Sequence, residues 1–320
     1  MKAAIVTGPG VAPIYGDFDH PEPQSGEQRV RVSAAALTHL TRGRASGSHY
    51  SADNQFPFVP GVDGVGRLDD GSRVYFAMPR MPFGGMAEQT FVDPSHCVPV
   101  PDDLDDVTAA ALANPGMSSW AALRHRARLH PGETVLINGA TGVSGRLAVA
   151  IARHLGAGRI IATGRNLATL ESLKDLGADA TIPLTGGETE SHLRKHFSDG
   201  VDVVLDYLWG ESARSILLAG AKFGPDGRAI RFVQIGSMAG GDIALPAAAL
   251  RSSAIELMGS GIGSVSLPNL LGSIGEMLAA ARTAGLAITT EAVPLSDVEE
   301  AWSKDDRDGR IVFTLPHPEY

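Results

Sequence analysis

At 320 residues the chain is long enough for two hydrophobic cores, and its 43% hydrophobic and 20% charged content is that of an ordinary soluble globular protein. Its 36 acidic residues outnumber 27 lysines and arginines for a net charge of −9, which excludes the basic footprint of a nucleic-acid or anionic-lipid binder. A single cysteine, Cys97, excludes an intrachain disulfide framework and a multi-cysteine zinc lobe. The apolar runs are too short for a signal peptide or a membrane span, so the expected compartment is the cytoplasm, with no membrane and no nucleic-acid partner.

Residues 1–112 read as strands and turns. Residues 2–6 and 28–33 alternate polar and apolar side chains, as half-buried strands do. Residues 61–68 and 72–77 flank Asp69-Asp70-Gly71, a hairpin signature, and 86–92 is a further strand. Pro- and Gly-rich connections suggest a compact, partly open barrel. Alanine-rich residues 104–112 and 118–129 read as two helices, separated at Asn114-Pro115.

The central part alternates strand and helix. Val135, Leu136 and Ile137 form a buried strand, and Gly139, Gly142 and Gly145 follow it. A helical pattern then runs through Leu147, Val149, Ile151 and Leu155. Strand, glycine turn and helix together hold a dinucleotide pyrophosphate on backbone N–H groups, which assigns Gly139, Ala140, Thr141, Gly142, Val143, Ser144 and Gly145 to the cofactor. The spacing is G-x-x-G-x-x-G, and a plain tight turn is the competing reading. A second strand, 159–163, ends at Gly164-Arg165-Asn166. An NAD site would place an acid there to bind the ribose 2′-OH; Arg165 suits a 2′-phosphate instead and points to NADP(H). A helix over 167–176 stops at Gly177, and strands at 179–182 and 201–205 complete a β-α-β-α-β unit. The fold class is α/β: a doubly wound parallel-sheet (Rossmann) domain plus a mostly β domain.

Beyond residue 205, a helix at 212–221 and strands at 230–235 and 254–258 follow. A helical segment at 268–285, a strand at 292–295, a helix at 297–304 and a last strand at 311–315 finish the chain. This tail has no second glycine-rich phosphate loop. The expected boundaries are 1–112, 113–252 for the nucleotide domain, and 253–320 returning to the first domain. The 254–258 strand suits a sheet edge, so a homodimer is expected.

These pieces, in this order and over nearly the whole chain, resemble the medium-chain dehydrogenase/reductase superfamily, most closely its zinc-independent quinone oxidoreductase branch. The motifs are Met1-Lys2-Ala3-Ala4-Ile5, Pro60-Gly61-Val62-Asp63-Gly64-Val65-Gly66, the stretches 84–92, 116–123 and 132–140, Leu176-Gly177-Ala178-Asp179, residues 201–206 and Gly309-Arg310-Ile311-Val312. The resemblance implies a GroES-like catalytic domain and NADPH as hydride donor. Zinc-dependent relatives carry a cysteine at Thr38, a His-Glu pair at Val62-Asp63 and a second cysteine near Asn114, so no metal is expected. His39 and His49 lie nearest the expected cleft and read as pocket or surface residues rather than ligands. The resemblance further sets residues 37–50 beside the nicotinamide, with Thr38 at a nicotinamide contact and Tyr50 or His49 as proton donor. It places Ile235, Gly236, Ser237 and Gly261 along the nicotinamide, Arg310 at the cofactor phosphates and Tyr207 on the adenosine side. For Thr38 a backbone-satisfied hydroxyl competes, for Tyr50 a loop aromatic over apolar surface, for Arg310 a solvated surface arginine, and for Tyr207 an ordinary core edge.

The expected activity is hydride transfer from NADPH to a quinone or an α,β-unsaturated carbonyl. Val143 and Ser144 depart from the branch's usual loop, and residues 49–57 are individual, so substrate identity does not transfer. Two alternatives stand: an enoyl-thioester reductase of the same superfamily, which lacks a visible basic entry for a carrier phosphate, and a low-turnover NADPH-binding sensor or structural protein.

Overall fold

The computed structural model describes residues 1–52, 55–304 and 309–316. The chain divides into two compact units: Met1–Asn114, Ile274–Ala279 and Ala287–Tyr320 form unit 1, and Pro115–Ser273 with Ala280–Leu286 form unit 2.

Unit 1 begins with β1 (Lys2–Ile5), β2 (Ile14–Asp17) and β3 (Gln28–Ala36), followed by helix α1 (His39–Ser46). Strands β4 (Asp63–Arg67), β5 (Arg73–Ala77), β6 (Gln89–Val92) and β7 (Cys97–Pro99) follow. Strand β3 shows why the alternating pattern makes a strand: Val30 and Val32 are buried, while Arg29 and Arg31 are half-exposed on the other face. The Asp69-Asp70-Gly71 turn joins β4 to β5 as an antiparallel hairpin, with Gly71 in the left-handed region.

Helix α2 (Asp106–Ala121) replaces the two helices expected on either side of Asn114-Pro115. Pro115 removes one hydrogen bond, yet Ala109 to Ala113 and Trp120 are buried along the same helix, and this burial outweighs the break.

Unit 2 runs β8 (Thr134–Asn138), α3 (Val143–His154), β9 (Arg159–Gly164), α4 (Leu167–Ser172), β10 (Ala180–Pro183), α5 (Thr189–Asp199), β11 (Val203–Asp206), α6 (Gly210–Phe223), β12 (Ile230–Gln234), α7 (Ala247–Arg251) and β13 (Ile255–Gly259), with α8 (Leu267–Ala280) after it. Its six strands are all parallel, in the order β10-β9-β8-β11-β12-β13. The chain winds outward from β8 through β9 to β10, then returns to the other side of β8 at β11. The switch point of this doubly wound sheet therefore lies between β8 and β11, where such sheets bind ligands at their carboxyl ends. Helix α3 buries Leu147, Ala148, Val149, Ile151 and Ala152, and Leu136, Ile161, Val204, Leu217 and Phe232 are among the core residues of unit 2. Strand β13 is the sixth strand of this sheet, so the return to unit 1 comes later than residue 253.

The return supplies β14 (Thr290–Pro294), α9 (Val298–Ala301) and β15 (Arg310–Thr314). In unit 1 these strands complete a seven-stranded sheet, β14-β15-β3-β4-β5-β7 with β6 on β3, over a core that includes Val30, Leu37, Phe76, Met86, Ile311 and Phe313. Among the described residues no helix is long and apolar enough to cross a membrane.

Candidate functional site

The glycine turn after β8 is built so that backbone, not side chains, faces a ligand. Gly139 has φ +88°, a region that favours glycine, and a Cβ there would meet the Leu208 side chain at 2.9 Å. The Ala140 N–H bonds the Thr163 carbonyl at 2.8 Å, tying the turn to β9. A Cβ on Gly145 would fall 2.3 Å from the Gly139 oxygen and 2.6 Å from the Ala140 Cα, so only glycine lets α3 begin this close to the turn. Gly142 is the helix N-cap and offers no side chain to the leading N–H groups of α3, which have no intrahelical acceptor. A Cβ on Gly142 would find only the Gly139 oxygen, 3.7 Å away, so that side is open. Arg146 Nε donates to the Thr141 carbonyl at 3.1 Å and steadies the loop from within. This cradle of small residues and unpaired N–H groups fits a dinucleotide pyrophosphate.

Beneath the loop lies a buried polar network. Asn138 and Asp206 close β8 and β11, Thr163 is the penultimate residue of β9, and none of the three is exposed. Thr163 Oγ1 donates to Asn138 Oδ1 at 2.8 Å and accepts from the Gly139 N–H at 3.3 Å. Asn138 Nδ2 donates to Asp206 Oδ1 at 2.8 Å and Ser212 Oγ at 3.0 Å. Asp206 also accepts from the Leu208 and Trp209 N–H groups, at 3.1 Å each. Burial raises the Asp206 pKa, and the Asn138 amide and the two N–H groups pull it back. Trp209 is held at φ 56°, unusual for a bulky residue, and α6 begins immediately after it.

The remaining cofactor candidates occupy the carboxyl ends of neighbouring strands. Gly164 ends β9, and its Cα lies so close to Thr141 that a Cβ would sit 2.3 Å from Thr141 Cγ2. Arg165 is exposed and has no ion-pair partner among the described residues, whereas Asn166 caps α4 by accepting from the Thr169 N–H at 3.1 Å. Ile235 and Gly236 both bond the Asp206 carbonyl through their N–H groups, at 2.7 and 3.1 Å, which brings the end of β12 to the end of β11. Ser237 is exposed, and the Gly261 N–H is held by Ser264 Oγ at 2.8 Å. Tyr207 is buried with its phenol toward Ser118 and Ser119; those hydroxyls donate to the Pro115 and Gly116 carbonyls, and the phenol makes no hydrogen bond of good geometry. Burial pushes its pKa up to about 12. A cavity of about 740 Å³ opens elsewhere in unit 2, lined by Leu193, Leu218, Lys222, Phe223 and Ala249 among others, and no residue of the glycine loop borders it.

Unit 1 holds the other candidates. Thr38 is buried and caps α1: its Oγ1 accepts from the Thr41 N–H at 3.1 Å and lies 3.0 Å from Thr41 Oγ1. Tyr50 is 74% exposed, its ring tilted over His49 with centroids 4.2 Å apart. His49 Nδ1 lies 2.8 Å from Ser51 Oγ, and partial burial, then Arg44, lowers its pKa. Arg310, expected at the cofactor phosphates or on the surface, is only 4% exposed and donates to the Leu37 carbonyl at 3.0 Å. Its charge also faces Asp63, a buried carboxylate that accepts from Tyr75 Oη at 2.8 Å. Burial pushes the Asp63 pKa up to about 6, against the pull of Tyr75 and Arg310.

The positions where zinc-dependent relatives of the resembled family hold ligands do not fit a zinc ion. Thr38 spends its hydroxyl on the helix cap, Val62 has no donor, and Asp63 is engaged with Tyr75. Among the described residues no three His, Cys, Asp or Glu side chains come together as a metal site.

Sequence reasoning missed Asn138, Thr163 and Asp206. The signal was present: three otherwise apolar strands, Val135-Leu136-Ile137, Ile160-Ile161-Ala162 and Val203-Val204-Leu205, each run into a polar residue at the carboxyl end.

Residues 144–280 match the family model described as zinc-binding dehydrogenase. The chain is 30% identical to the "Probable NADPH-dependent quinone reductase tdiC" of Emericella nidulans over 358 aligned positions, covering 99% of this chain and all of that one. It is 31% identical over 239 positions to a mycocerosic acid synthase-like polyketide synthase of Mycobacterium tuberculosis, covering 69% of this chain and 10% of the synthase. The quinone oxidoreductase of Thermus thermophilus, solved alone and with NADPH, superposes with a TM-score of 0.82 at 25% identity, over 98% of this chain and 100% of that one. With the glycine-loop sheet and the mostly β unit, these likenesses establish that the chain belongs to the medium-chain dehydrogenase/reductase superfamily, in its quinone oxidoreductase-like branch.

Proposed function

We propose that the protein is an NADPH-dependent, zinc-independent reductase that delivers hydride to a quinone or an α,β-unsaturated carbonyl. The glycine loop from Gly139 to Gly145, with Arg165 past the end of β9, carries the reading. Bound NADPH supplies the hydride, two electrons and one hydrogen, and a proton from the protein or solvent completes the reduced product. The backbone N–H groups at the start of α3 hold the pyrophosphate, and Arg165 neutralises the 2′-phosphate. Gly164 and Asn166 shape the turn that presents Arg165. Ile235, Gly236, Ser237 and Gly261 are assigned to the nicotinamide side, and Tyr207, just past the end of β11, to the adenosine side. In unit 1, Thr38 is not assigned to the reacting ring, because its buried hydroxyl is committed to the α1 cap and to Thr41. Tyr50, exposed and stacked on His49, is assigned as proton donor, since an exposed phenol is readily reprotonated by water. Arg310 is not assigned to the phosphates, because its guanidinium is buried on the Leu37 carbonyl.

A conjugated acceptor suits such a site, because the charge left by hydride addition spreads onto a carbonyl oxygen that hydrogen-bond donors can stabilise. The test is steady oxidation of NADPH against a panel of small quinones and enones. Turnover across part of the panel is expected; no turnover, with calorimetric NADPH binding retained, would favour the sensor reading. The polyketide-synthase likeness favours a second reading, reduction of an enoyl thioester, and faster turnover of a thioester than of its free enone would select it. The lone cysteine suits a reducing compartment and so a cytoplasmic enzyme. Strand β13 stands at the sheet edge with Leu257 exposed, and pairing there would form a homodimer; light scattering at the monomer mass would refute it.

A further inference from the structure

We infer that Asn138 and Thr163 are positioning residues for the dinucleotide, acting through the Gly139 turn without touching the cofactor. The inference rests on the loop from Gly139 to Gly145 being the cofactor loop, as proposed above.

The direction of the first N–H groups of α3 depends on how β8 enters the turn, and Gly139, the first residue of that turn, has no Cβ contact to hold it there. Two β9 acceptors fix it instead: Thr163 Oγ1 takes the Gly139 N–H at 3.3 Å, and the Thr163 carbonyl takes the Ala140 N–H at 2.8 Å. A hydroxyl rotates freely unless its own proton is committed, and the Thr163 proton is committed to Asn138 Oδ1 at 2.8 Å. The amide is locked in turn, because its Nδ2 has Asp206 Oδ1 at 2.8 Å and a carboxylate only accepts. Asp206 is anchored by the N–H groups of Leu208 and Trp209, and Leu208 is the side chain that lies over Gly139. The ends of β8, β9 and β11 thus meet in one buried, paired network whose outermost bond ends on the glycine turn. Loss of one member leaves buried partners unsatisfied rather than hydrated, so the disturbance reaches the turn.

The test is calorimetry with NADPH and with NADH on the wild type, Thr163→Val and Thr163→Ser, alongside the melting temperature of each apoprotein. Removing the hydroxyl should raise Kd for both nucleotides by the same factor, about tenfold, because the pyrophosphate is common to both. Thr163→Ser should restore both affinities, since it returns the hydroxyl. Should Thr163→Val not fold, Thr163→Ala removes the hydroxyl without a new branch, and hydrogen exchange at the Gly139 and Ala140 amides should quicken in it. A lowered melting temperature with unchanged Kd would overturn the inference in favour of a purely structural role. A loss confined to NADPH would overturn it too, since that signature belongs to Arg165. No heat from the wild type with either nucleotide would instead overturn the cofactor assignment itself, and the inference with it.

Discussion

The glycine turn of unit 2 and the α1 region of unit 1 solve different problems with different materials. Around Gly139 the work falls to the main chain: glycines clear space, N–H groups point outward, and the side chains below are fully paired. Around Thr38 and Tyr50 the work falls to side chains, one committed to capping a helix and the other standing in solvent. A phosphate is the same in every dinucleotide, so a backbone cradle can be fixed in glycines and strand ends. A substrate carbonyl differs between enzymes, so the contact proposed for it, at Tyr50, rests on an individual side chain.

The contrast breaks first if Gly145→Val still binds NADPH. Its Cβ would lie 2.3 Å from the Gly139 oxygen and 2.6 Å from the Ala140 Cα, both backbone atoms. Calorimetry should show no heat, and unfolding should become easier by roughly 1–3 kcal/mol. Arg165→Glu comes next: NADPH affinity should fall about 10- to 100-fold while NADH affinity holds, since a charged hydrogen-bond partner contributes about 1.5–3 kcal/mol. Equal losses would remove the 2′-phosphate assignment. On the unit 1 side, Tyr50→Phe should lower kcat about tenfold or more with NADPH Kd unchanged, given the usual size of a proton-transfer contribution. Unchanged kcat would return Tyr50 to a loop aromatic. Melting temperature should barely move, because the ring is exposed.

The smallest expected effect concerns pH. Asp63 has a pKa of about 6 when folded against 3.8 as a free side chain. The folded state therefore keeps its proton longer than the unfolded chain does. Its contribution to stability is whole below pH 3.8 and is lost as pH rises through about 6. Asp63→Asn cannot titrate, so the difference in melting temperature, wild type minus variant, should shrink across that window. A flat difference would mean that Tyr75 and Arg310 already hold the carboxylate charged.

What the sequence disclosed follows the same division. The β-α-β unit was legible because Val135, Leu136 and Ile137 run straight into spaced glycines, and both features are local. The helix through Pro115 was not, because buried alanines on one helix outweighed a local breaker. Arg310 was set at the phosphates only through the resemblance; its bond to the Leu37 carbonyl joins residues 273 apart in sequence, which the pairing of β15 with β3 brings together. Asn138, Thr163 and Asp206 were overlooked for the opposite reason. Each looks like an ordinary strand end alone, and only the sheet order makes them neighbours.

Trp209 gives this arrangement an optical use. Its indole sits directly after the Asp206 turn, next to the residue whose side chain covers Gly139, with Phe232 6.4 Å away. Reduced nicotinamide cofactors absorb where indole emits. Of the three tryptophans this one stands beside the turn, so the quenching lost in Trp209→Phe should report occupancy of the loop without a label.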